Sequence, residues 1–156
     1  MAEPDPTRVV ADADVLAADL LVGGDARDAL DIVRSHSWVD LVASDALLED
    51  CGAIVTGLAD ADLATAHRTE LDELRVCVEH PDGDHPALAS AAAGNAAHVL
   101  SFDDRLQGAS AGAHIREHVA TSVKHSAAFA RLFDPERLWP VVGDGEYSGP
   151  DRDPRS

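Results

Sequence analysis

The sequence predicts an α/β domain, a three-layer α/β/α sandwich with a mostly parallel sheet of four to five strands. Three observations lead there. Short apolar runs rich in Val, Leu and Ala alternate with longer segments whose apolar residues recur at helical spacing. The runs are apolar at consecutive positions rather than every second one, which suits strands buried on both faces of a parallel sheet. At 156 residues the chain is long enough for one domain with a core and too short for two.

The elements follow in order. Residues 8–11, Arg-Val-Val-Ala, form an apolar strand ending at Asp12. After Gly23 and Gly24, residues 26–36 place Ala29, Leu30, Ile32 and Val33 on one helical face. Residues 38–43 read as a second strand, and Ser44 is a good N-cap for a helix carrying Leu47, Leu48, Cys51, Ile54 and Val55. A further helix spans about residues 60–74, with Leu63, Ala66, His67, Leu71 and Leu74 in phase, and Val76-Cys77-Val78 is the third strand. His80-Pro81-Asp82-Gly83-Asp84 is a turn leading into a helix over about residues 86–95, with Pro86 in its first turn. Residues 98–102 form the fourth strand, ending at Asp103-Asp104. Gly108 to Gly112 reads as a small-residue loop, residues 119–123 as a fifth strand, and residues 127–133 as a closing helix capped by Ser126. The expected organisation is an N-terminal extension over residues 1–7, the domain over 8–142, and a disordered tail over 143–156, rich in Gly, Pro and charge.

Composition bounds the setting. Asp and Glu total 29 against 12 Lys and Arg, a formal charge of −17, and Lys124 is the only lysine. Acid excess with arginine kept and lysine nearly absent points to a protein of an extreme halophile. In about 1 M salt the Debye length falls to roughly 3 Å, so carboxylates hold water and cations with little mutual repulsion. No apolar run approaches the roughly 18 residues of a membrane span, and the acidic N-terminus does not resemble a secretory signal, so a cytoplasmic location without membrane contact is expected. Cys51 and Cys77 lie in apolar stretches without CxxC spacing and read as two buried free thiols. Trp38 and Trp139 read as packing residues, and His85 and His98, which lack ligand spacing, as structural histidines.

In parallel sheets ligands collect at the carboxyl ends of the strands. The first strand ends at Asp12, with Asp14 two residues on, and the fourth at Asp103 and Asp104. Asp84 opens the helix after the third strand, and Glu49 lies just over a turn into the helix after the second. If the strands lie side by side these acids converge, and hard oxygen ligands of that kind suit Mg²⁺ or Mn²⁺. Because about one position in five is acidic, Asp45, Asp50, Asp60, Asp62, Asp72 and Glu73 are assigned to solvated surface.

Four blocks carry a family resemblance. Val9-Val10-Ala11-Asp12-Ala13-Asp14-Val15-Leu16 resembles the opening of PIN-domain proteins, an apolar strand followed by Asp-Thr-Asn-Val-Leu. Ser44-Asp45-Ala46-Leu47-Leu48-Glu49 is similar to their second block, a serine-led helix with an acid one turn in. Asp84 opening an alanine-rich helix, then Asn95-Ala96-Ala97-His98-Val99-Leu100-Ser101-Phe102-Asp103, resembles the third block, where the next strand ends in Thr-x-Asp. Residues 123–129 are similar to the closing strand and helix. The resemblance implies a PIN-like, VapC-related nuclease: a Mg²⁺- or Mn²⁺-dependent endoribonuclease with Asp12, Glu49, Asp84 and Asp103 as metal-binding acids. Ser101 stands in the family's threonine position, where a hydroxyl orients a carboxylate or water. It also implies an RNA substrate, a homodimer and an antitoxin-type protein partner. Ala13 and Asp14 depart from the family's Thr-Asn, removing a hydroxyl and adding a charge.

Two alternatives use the same residues. One is a PIN fold without catalysis that serves as a binding or regulatory module. The other is a phosphatase resembling the haloacid-dehalogenase type, with Asp12 as nucleophile and Asp14 as acid. That family needs a lysine before its last acidic pair, whereas Lys124 follows it. Arg105, Arg116, Lys124, Arg131 and Arg137 bring positive charge to the C-terminal third, where it could meet RNA phosphates.

Overall fold

The computed structural model describes residues 4–103 and 122–154. Five strands form one all-parallel sheet: β1 (Asp5–Ala11), β2 (Asp40–Ser44), β3 (Arg75–Val78), β4 (Ala96–Leu100) and β5 (Ser122–Lys124). Their spatial order is β3-β2-β1-β4-β5. Among the described residues seven helices flank the sheet: α1 (Ala13–Leu21), α2 (Gly24–Ser35), α3 (Asp45–Leu58), α4 (Ala61–Leu74), α5 (Pro86–Gly94), α6 (Ser126–Leu132) and α7 (Pro135–Val142). Helices α1 to α4 pack on one another in series and α6 packs on α2, while α5 lies against β1, β2, β3 and β4. This is the three-layer α/β/α sandwich that the alternation predicts.

The central strand explains the order. Val9, Val10 and Ala11 are all fully buried, so β1 presents apolar side chains to both helical layers. It pairs with β2 through Arg8 opposite Asp40 and Val9 opposite Leu41. On its other edge Val9 faces His98, Val10 faces Val99 and Ala11 faces Leu100 of β4. Leu16, Leu30, Val33, Leu41, Leu47, Val55 and Phe129 fill the layer interfaces.

Local signals set the helix ends. The Ser44 hydroxyl accepts from the Leu47 N–H at 3.2 Å, capping α3 as predicted. Asp60, assigned to the surface by its sequence, caps α4 through the Leu63 N–H at 2.7 Å. Helix α5 starts on Pro86 and ends where Asn95 adopts the left-handed conformation at φ 53°. Gly94 lets that helix approach β2, since a Cβ there would sit 2.5 Å from Val42 Cγ1. The cap of α6 is His125, whose ring accepts the Ala127 N–H at 3.1 Å, and Ser126 is the first helical residue.

Several expectations change. Helices α1 and α7 are additional, and β1 begins at Asp5, whose N–H donates to Asn95 at 2.7 Å, so residues 5–7 belong to the domain. Only the carboxyl end of the expected fifth strand is described, as β5, and the loop at Gly108–Gly112 lies outside the described residues. Cys51 is buried but Cys77 is exposed, because β3 is an edge strand with one side uncovered.

The largest difference is the tail. The segment expected to be disordered docks on the end of α2. His36, buried there, meets the Tyr147 hydroxyl at 2.7 Å from its Nε2. Asp151 accepts from the Ser37 N–H at 2.7 Å, and the Arg152 guanidinium donates to the His36 carbonyl at 3.1 Å. Trp38 and Trp139 pack with ring centroids 5.2 Å apart, in the packing role expected of them. An ion pair lies nearby inside the helical layer: Arg34 of α2 bonds both carboxylate oxygens of Asp19 of α1, which is 3% exposed, and reaches Asp31 at 2.9 Å. No described helix is long and apolar enough to cross a membrane.

Candidate functional site

The strand order places a topological switch between β1 and β4. From β1 the chain moves outward to β2 and β3, then returns to the other side of β1. Connections on opposite faces diverge there and leave a crevice at the carboxyl ends of the two strands. Asp12 and Ser101 are the residues that follow β1 and β4.

Backbone and side-chain bonds tie these two strand ends together. The Asp12 N–H donates to the Leu100 carbonyl at 2.8 Å, extending the sheet by one rung. One Asp12 carboxylate oxygen accepts the Ala13 N–H at 2.8 Å, capping α1. The other accepts the Ser101 hydroxyl proton at 2.9 Å, and the Ser101 oxygen accepts the Asp103 N–H at 3.0 Å. Ser101 is fully buried and ties the Asp12 carboxylate to the Asp103 backbone. The Ser101 hydroxyl thus orients the Asp12 carboxylate.

Asp14 joins them. Its carboxylate accepts the Phe102 N–H at 3.2 Å, while its other oxygen is buried and has no hydrogen-bond partner among the described residues. Burial raises its pKa, the neighbouring Asp12 charge raises it further and Asp103 adds to the effect, against the lowering by backbone N–H groups. Three carboxylates therefore share one field at the switch point. His85 Nε2 lies 3.9 Å from Asp12 and is partly open to solvent. At the next strand end His80 Nε2 meets the Ser44 hydroxyl at 2.8 Å.

The other predicted ligands are both exposed, Glu49 on α3 and Asp84 in the turn before α5. Among the described residues no three His, Cys, Asp or Glu side chains are gathered to hold a metal ion. Asp12, Asp14 and Asp103 nevertheless fit a hard cation in chemistry: all offer carboxylate oxygens, and one of those oxygens is buried and unsatisfied. Sequence reasoning placed Asp14 among the strand-end acids but gave it no ligand role in the nuclease reading, where it stood as a departure, and it read His85 as structural. Asp45 keeps its surface role, pairing with Arg68 at 3.0 Å and Arg75 at 2.6 Å.

Fold and site define a parallel α/β protein with a carboxylate cluster at its topological switch point. The chain belongs to DUF7384, a family of unknown function, whose model matches residues 3–155. No curated protein and no solved structure matches the chain.

Proposed function

We propose that the chain is a Mg²⁺- or Mn²⁺-dependent endoribonuclease of PIN-like, VapC-related type, working at the β1–β4 switch point. The observation that carries the reading is the Asp12–Ser101–Asp103 linkage beside the unsatisfied Asp14 oxygen. Asp12, Asp14 and Asp103 would hold the cation, with Glu49 and Asp84 joining only if the turn before α5 and the exposed face of α3 close over it. A bound divalent ion supplies neutralisation of charge at the phosphate and activation of water. The chain's own residues do the positioning. Ser101 fixes the Asp12 carboxylate, the Phe102 N–H fixes Asp14, and the His85 ring lies 3.9 Å from Asp12. A cytoplasmic, high-salt setting, RNA as substrate, a homodimer and an antitoxin-type partner belong to the same proposal.

The second reading, a PIN-like binding module without catalysis, is favoured by the exposure of Glu49 and Asp84. Calorimetric titration of Mn²⁺ in molar KCl separates the two, run on the wild type and Asp12→Asn with RNA cleavage assayed in parallel. The nuclease reading expects saturable binding and Mn²⁺-dependent cleavage, both lost in the variant. Absence of specific binding, or cleavage that survives in Asp12→Asn, refutes it.

A further inference from the structure

The sole lysine of this acidic chain occupies an unusual place. Lys124, the last residue of the edge strand β5, lines a cavity of about 480 Å³ beneath α6 and α7. Its ammonium group contacts the Ser122 hydroxyl at 2.9 Å and His98 Nδ1 at 3.3 Å. Among the described residues no carboxylate pairs with it, in a sequence holding 29 acids. A partly buried ammonium without a counter-ion is unfavourable, and burial pushes the Lys124 pKa down.

His98 is no counter-ion, since an imidazole is neutral or cationic; burial and the adjacent Lys124 lower its pKa to about 4, which leaves the ring neutral and able to accept from the ammonium. Phe129 and Phe133 hold it edge-on, with centroids 5.5 Å and 5.7 Å away. The one carboxylate in the cavity wall, Asp134, is already engaged. It accepts the Arg137 N–H as the cap of α7 and lies 3.6 Å from the Arg137 guanidinium.

The remaining walls are apolar: Phe133, Leu132, Leu138 and Val141. Leu132 and Val141 are 70% and 79% exposed, so they present apolar surface that an occupant would cover. A cavity of this size, apolar along one side and carrying Lys124, His98, Asp134 and Arg137 on the other, has the form of a small-molecule site.

We propose that this cavity binds a small monocarboxylate with an apolar body, its carboxylate meeting Lys124 Nζ and its body lying between Phe133, Leu132, Leu138 and Val141. The cavity shares no lining residue with the acidic switch point, although the Lys124 carbonyl accepts the Ser101 N–H at 3.0 Å, and the proposal does not depend on the nuclease reading. Anion and wall fit together: the carboxylate completes the ammonium's coordination, and the apolar body covers side chains now facing water.

The test is titration of the full-length protein with 4-phenylbutyrate and, separately, its methyl ester, followed by calorimetry and by chemical shifts of Phe129 and Phe133. The acid is expected to bind with one-to-one saturation, and the ester about tenfold or more weakly, because it removes the charge-assisted hydrogen bond. Lys124→Met should weaken the acid to the level of the ester without lowering the melting temperature, and Leu138→Asp should weaken both. Equal binding of acid and ester, retained affinity in Lys124→Met, or no saturation at millimolar acid overturns the proposal.

Discussion

Replacing Ser101 by alanine isolates the linkage that defines the acidic site. The hydroxyl donates to the Asp12 carboxylate at 2.9 Å and accepts from the Asp103 N–H at 3.0 Å, and the residue is fully buried. A hydrogen bond to a charged acceptor contributes about 1.5–3 kcal/mol and a neutral one about 0.5–1.5 kcal/mol. Burial leaves little room for water to replace either, so Ser101→Ala should lower unfolding free energy by about 2–4 kcal/mol. Urea unfolding should show a lower midpoint at unchanged slope. A double-mutant cycle with Asp12→Ala should return a coupling of at least about 1 kcal/mol, because each variant removes the same bond. Affinity for Mn²⁺ should fall by about 10- to 100-fold, the usual effect of removing a group that orients a ligand. A loss below about 0.5 kcal/mol, or strict additivity in the cycle, would refute the reasoning.

Two further outcomes follow from buried charges. The raised pKa of Asp14 means that the folded chain holds its proton more tightly than the unfolded one. Ionised Asp14 therefore destabilises the native state at neutral pH, and that penalty fades as pH falls through the raised folded value to the ordinary 3.8. Asp14→Asn should accordingly melt higher than wild type at pH 7 in the absence of divalent cations and lose its advantage in acid; a pH-independent difference would contradict this. Arg34→Met strands Asp19, whose side chain is 4% exposed, and should destabilise by about 3–5 kcal/mol. Adding Asp19→Asn should recover much of the loss in the same denaturation assay, and no recovery would place the cost elsewhere.

How much was legible depended on whether the cause was local. Val9-Val10-Ala11, the Ser44 cap and the Pro86 start are short-range signals, and each produced the expected element. Helix α1 was missed because it follows β1 without a break, with Asp12 serving as both strand end and cap. Helix α7, with Pro135 in a first turn where no N–H is needed and Pro140 inside it, was not among the expected elements. The tail reads as disordered because its partners, His36 and Ser37, lie more than a hundred residues away. Strand-end position put Asp12 and Asp103 beside each other, the resemblance singled out Ser101 between them, and no sequence pattern states that Glu49 and Asp84 face solvent in their helix and turn.

The seam between β1 and β4 has a consequence for the order in which the molecule comes into being. Asp12 and Ser101 are 89 positions apart, yet the site consists of their meeting. During synthesis from the N-terminus, β1, β2 and β3 with α1 to α4 emerge first and can pair locally. The edge of β1 that will receive β4 stays open through all of that, and closing it means joining a long chain loop, a slow step. Asp12 is therefore present early as a helix cap, while the acidic site is among the last parts of the molecule to exist. Whatever chemistry the switch point performs, the nascent chain is without it until the fold is nearly complete.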